Sequence, residues 1–98
     1  MYMRVARIRA VSSWDPARYD EFSQVTREVA ATIKQLPGCQ SVVIGGDPTT
    51  VEGYAVGTYD TEDHARWPAP EALGDLPPRL HALGIQADTP QFFEVIAS

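Results

Sequence analysis

Four strand-like stretches and two helical ones divide this chain by its hydrophobic and polar positions. From Tyr2 to Val11 the alternation has the period of a strand: Tyr2, Ala6, Ile8 and Ala10 share one face with Arg4, and Met3, Val5 and Val11 share the other with Arg7 and Arg9. Ser12 to Pro16 breaks it. Asp15 before Pro16 is a helix start, an N-cap carboxylate followed by a proline at the first helical position. Phe22, Val25, Val29, Ile33 and Leu36 then recur at helical spacing, one apolar stripe on a helix of about five turns. Arg18, Glu21, Arg27, Glu28 and Lys34 fall largely off that stripe, and Pro37-Gly38 ends the helix.

Cys39 to Gly46 and Val51 to Tyr59 predict a hairpin joined by a loop built on Asp47-Pro48. Gly53, Ala55 and Gly57 leave one face of its second strand nearly flat, which lets another group approach closely. Asp60 or Thr61 caps a second helix whose acids Glu62 and Asp63 suit the helix dipole. Trp67-Pro68-Ala69-Pro70 stops that helix, and Pro77-Pro78 interrupts again before a short turn through Leu80 and Leu83. The last strand is QFFEVIA. The order strand-helix-strand-strand-helix-strand predicts an α+β, ferredoxin-like βαββαβ sandwich with a four-stranded antiparallel sheet, one domain over residues 1–98.

The predicted sheet has more apolar surface than two helices can cover. Phe92, Phe93, Val95 and Ile96 are apolar on both faces of the last strand, as are Val42, Val43 and Ile44 in the second. One face must therefore be buried against something else, and a homodimer is the simplest answer.

Composition narrows the partners. With 44% hydrophobic and 21% charged residues, the chain can fold rather than stay disordered. A net charge of -5 and a single lysine, Lys34, argue against nucleic acid and anionic membranes. The apolar runs are too short to span a bilayer, and the N-terminal strand pattern is not that of a signal peptide. One cysteine, Cys39, excludes an internal disulfide and suits the cytoplasm. Seven arginines to one lysine, twelve alanines and no asparagine suggest a GC-rich bacterial genome.

The opening MYMRV, the helix ending LPGC, the segment GYAVGTYDTEDHAR and the ending LGIQADTPQFFEV together resemble the antibiotic biosynthesis monooxygenase-like family of dimeric α/β barrels. The resemblance covers nearly the whole chain. It implies two sheets paired face to face in a homodimer. It also implies either oxygenation of a phenolic or quinol aromatic without metal or flavin, binding of a small molecule without chemistry, or haem degradation. Pro68, Pro70, Pro77 and Pro78 depart from the family's continuous second helix. The haem-degrading members use an asparagine on the first strand with a tryptophan and a histidine; this chain has no asparagine, and Arg7 stands near the matching position.

Candidate site residues follow from both readings. Trp67, at the break in the second helix, can wall a cavity between helices and sheet, or simply plug the gap. Tyr54 and Tyr59 lie on opposite faces of the third strand, and one of them is expected beside Trp67. Arg7 or Arg9 could hold an anionic substrate oxygen if either points inward; ion pairing with Glu94 or an acidic loop is the structural alternative. His64 and His81 are candidate ligand contacts, with surface or core-edge packing as the alternative for each. The two histidines have no further ligands at metal spacing, and no GxGxxG, P-loop or CxxC occurs, so no metal or cofactor is expected. Trp14 is expected to staple the first helix. Cys39 follows a helix end, which disfavours its thiolate. The expected cavity is apolar, walled by Trp67 with Tyr54 or Tyr59, and reached past the connector from Pro68 to Pro78.

Overall fold

Nine residues of strand, Tyr2–Ala10 (β1), form the centre of the molecule. The computed structural model describes residues 1–11, 14–67 and 70–98. Ser12, where the first strand was expected to break, and Pro68 and Ala69, expected to stop the second helix, lie outside the described residues. Asp15 accepts a hydrogen bond from the Ala17 N–H at 3.0 Å and so caps a single 3-10 turn, Pro16–Arg18. That turn leads into Tyr19–Lys34 (α1). Trp14 packs edge-on against Phe22 with ring centroids 5.7 Å apart, fixing how the chain enters the helix.

Cys39–Gly46 (β2) and Gly53–Tyr59 (β3) form the expected hairpin. Glu62–Ala65 (α2) is one turn long, with the Thr61 hydroxyl accepting from the His64 N–H. Leu76–Ala82 (α3) follows, and Pro77-Pro78 starts this helix instead of interrupting one. Proline is tolerated in a first turn because the N–H groups it lacks have no intrahelical acceptor there. The sheet order is β2-β3-β1-β4, all antiparallel, which is the ferredoxin-like arrangement.

The expected single last strand is two strands, Ile85–Ala87 (β4) and Gln91–Glu94 (β5), making five in the sheet. Both pair with the same edge of β1: Ile8 faces Ala87, and Val5 faces Gln91. Ala6 and Arg7 therefore stand opposite Asp88, Thr89 and Pro90, a one-residue bulge. The Asp88 N–H donates to the Arg7 carbonyl at 2.8 Å, whereas Pro90 has no N–H to offer.

The helices cover one face of the sheet. Phe22, Val25, Val29 and Ile33 of α1 pack with Ile8, Tyr59 and Ile85, while Arg79 of α3 pairs with Glu28 of α1 at 2.7 Å. The opposite face carries Met3, Val5, Val43, Tyr54, Val56 and Phe93. Of these Val43 is 68% exposed, Tyr54 55% and Phe93 48%.

Candidate active site

Between the helices and the sheet lies a cavity of about 470 Å³. Its floor is the β1 face of Arg4, Ala6 and Ile8 with Ala55 and Tyr59 of β3. Its roof is α1 and α3, and the edge bulge contributes Ala87, Asp88 and Pro90. The lining is predominantly aliphatic and aromatic, the composition of a site for an apolar body with a few polar contacts.

Trp67 stands at one end. It ends α2 with a φ of 54°, a left-handed conformation that glycine usually supplies at helix C-termini. For a bulky residue this costs about 1–3 kcal/mol, and side-chain contacts hold it there. The indole Nε1–H donates to the Tyr59 hydroxyl at 2.7 Å, and the Arg4 guanidinium lies 3.6 Å from the indole ring centroid. Arg4 also donates from Nη1 to the Ala65 carbonyl at 3.1 Å, closing the last turn of α2. Trp67 is thus fixed on its edge by a phenol and on its face by a cation.

Tyr59 is fully buried, and that burial pushes its phenol above the ordinary tyrosine value, partly opposed by the bond from Trp67. The ring folds back over Gly57, where an added Cβ would sit 2.9 Å from it. The flat face predicted for the third strand is therefore filled at Gly57 by Tyr59 rather than left empty. Burial also raises the Cys39 thiol beside it, which leaves little thiolate for a nucleophilic role.

The candidate residues separate cleanly by place. Trp67, Tyr59 and His81 line the cavity. Tyr54 projects from the opposite face of the sheet. Arg7 pairs with Glu52 of the hairpin loop at 3.4 Å, and Arg9 with Asp88 at 2.8 Å, so neither enters the cavity. Their partners belong to loops, not to Glu94. His64 lies outside too: its Nδ1 is 2.6 Å from Asp60 Oδ1, a contact that holds the Asp60 carboxyl below its usual value. The arginine that lines the cavity is Arg4, on the same alternation as Ala6 and Ile8. Among the described residues no group of three or more histidine, cysteine, aspartate and glutamate side chains is placed to hold a metal ion. No described helix is long and apolar enough to cross a membrane.

No family model and no curated protein matches this sequence. Solved structures do. A candidate antibiotic biosynthesis monooxygenase from Deinococcus radiodurans superposes with a TM-score of 0.74 at 14% identity, over 100% of this chain and 95% of that one. A second antibiotic biosynthesis monooxygenase gives 0.73 at 17% identity, over 99% of this chain and 100% of the other. SnoaB of Streptomyces nogalater, a cofactor-independent oxygenase, gives 0.64 at 17% identity, over 99% and 94%. At such identities the likeness is one of backbone. Over its whole length, this chain has the fold of the antibiotic biosynthesis monooxygenases.

Proposed function

We propose that this chain is a small cofactor-independent monooxygenase-like protein that takes a phenolic or quinol aromatic compound into the cavity behind Trp67. The observation that carries the reading is the aliphatic cavity of about 470 Å³ with an indole and a guanidinium fixed together at one end. An apolar enclosure strengthens a cation's hold on a substrate oxygen that becomes anionic, because little water screens it. His81, which lines the cavity from α3, takes the phenolic proton. The ionised substrate then gives one electron to dioxygen. Substrate radical and superoxide couple into a carbon–oxygen bond, and the removed proton returns to the peroxide. Loss of water from it leaves a carbonyl at a ring carbon that carried one hydrogen. Arg4, not Arg7 or Arg9, is the donor in this scheme.

Oxygen-electrode measurements with a simple aromatic quinol test it. Uptake above the protein-free rate is expected, and Trp67→Phe should lower it about tenfold or more while the circular dichroism of the fold is kept. No uptake despite ligand binding would favour the second reading, a binding or pathway-accessory protein without chemistry. That alternative draws on the state of the polar lining: the Tyr59 hydroxyl already accepts from Trp67, and Asp88 is committed to Arg9. The haem reading would show itself as a Soret band surviving dialysis; we expect a colourless protein.

The working unit in this reading is a cytoplasmic homodimer joined through the open sheet face. Tyr54 then belongs to the subunit contact instead of the substrate site.

A further inference from the structure

Arg4 differs from the other arginines in lining the cavity without an acid; Arg27 also has no acid partner among the described residues, but it lies exposed on α1. Arg7, Arg9, Arg18, Arg66 and Arg79 each hold a carboxylate oxygen between 2.7 and 3.4 Å away, and all five are substantially exposed. Arg4 is half-buried, lines the cavity, and has no carboxylate partner among the described residues. Desolvation holds its pKa below the ordinary arginine value, yet a guanidinium stays charged at neutral pH. One carbonyl and one indole face occupy part of it. An enclosed cation left without a counter-charge is costly, and a ligand that arrives already ionised removes that cost.

We propose that the cavity binds an aromatic carboxylate, with the carboxylate on Arg4 and the ring system along the aliphatic floor of β1. This deepens the reading above, on which it rests for the cavity being a ligand site, by naming a charged rather than a neutral aromatic. A phenol, with a pKa of about 10, enters neutral at pH 7 and leaves Arg4 uncompensated until it ionises, whereas a carboxyl group of pKa about 4 enters charged. The fork of a guanidinium also matches two carboxylate oxygens, which one phenolic oxygen cannot offer. Arg66, 4.3 Å from the Phe92 ring centroid near Arg4, adds a second cation at this end, although Glu62 offsets its charge. At the far end of the cavity, Asp88 is an acid already neutralised by Arg9, so the field inside favours the anion at the Trp67 end.

Calorimetric titration at pH 7 with 2-naphthoate and with 2-naphthol tests this on the wild type, Arg4→Met and Arg4→Lys. The wild type should bind naphthoate at least about tenfold more tightly than naphthol. Arg4→Met should abolish that preference, and Arg4→Lys should keep part of it. Equal affinities on the wild type, or a preference that survives in Arg4→Met, overturn the proposal. If Arg4→Met does not fold, the wild-type pair and Arg4→Lys decide it. Failure of both probes to bind removes the cavity as a ligand site, and this proposal with it. Tight naphthoate binding in a protein that consumes no oxygen with any quinol keeps the carboxylate site and sinks the oxygenase reading alone.

Discussion

Tyr59 is the residue on which the Trp67 end of the cavity turns. Its hydroxyl is the acceptor for the half-buried Trp67 indole N–H, and its ring occupies the space above Gly57. Tyr59→Phe keeps the ring and removes the acceptor, leaving the Trp67 donor unpaired. Stability at pH 7 should fall by about 1–3 kcal/mol, read from urea melts. The raised phenol pKa has a consequence of definite sign. The unfolded chain ionises first, near about pH 10, so the contribution of Tyr59 is complete below that value and is lost as pH rises through the higher folded pKa. Wild-type stability should therefore drop above about pH 10, and Tyr59→Phe should drop less over the same range. Identical alkaline profiles for the two proteins would mean that Tyr59 is not the buried phenol that the packing makes it.

At the scale of elements, β3 and its neighbours show how side-chain volume is apportioned. Gly57→Ala places a methyl group against the Tyr59 ring, which is trapped between Trp67 and the sheet and has little room to yield. Overpacking of this kind costs about 1–3 kcal/mol, and the changed Trp67 environment should appear as a shift in tryptophan fluorescence. Gly45→Ala, where an added Cβ meets nothing within 4 Å, is the control and should shift neither. The elements legible in the sequence were those long enough to show a period: β1 by alternation, α1 by its stripe from Phe22 to Ile33, and the β2–β3 hairpin by both flanks of its turn. The edge strand was not, because three residues of β4 carry no period and the bulge between Ala87 and Gln91 shifts the phase of β5. Alternation on β1 already grouped Arg4 with Ala6 and Ile8, yet which face the helices cover is a tertiary fact. By alternation alone, Arg7 and Arg9 are as eligible for the cavity as Arg4. The choice between Tyr54 and Tyr59 had the same cause, since opposite faces of one strand are equivalent until the register with β1 is known.

The whole molecule is a two-layer sandwich with one layer of helices, so its packing is one-sided. Val43, Tyr54 and Phe93 stand on the uncovered face with Met3, Val5 and Val56, and the Arg7–Glu52 pair adds charge to the same side of the sheet. An apolar surface of this kind is unusual for a monomer, and a twofold axis would set it against the same patch on a second copy. The expected solution state is a dimer, with a light-scattering mass of twice 10.8 kDa at micromolar concentration. Val43→Asp probes the face without touching the core. Its side chain is exposed in the single chain, so the change should alter the stability of a monomer by no more than about 0.5 kcal/mol. In a dimer it buries a carboxylate against its symmetry mate's surroundings, and the mass should fall to 10.8 kDa with secondary structure intact. Tyr54→Asp should act the same way, and Arg27→Asp, on the exposed side of α1, should not. A wild-type protein that stays monomeric at micromolar concentration would leave the face bare and remove the barrel arrangement, while the cavity on the other side of the sheet, built entirely within one chain, would stand unchanged.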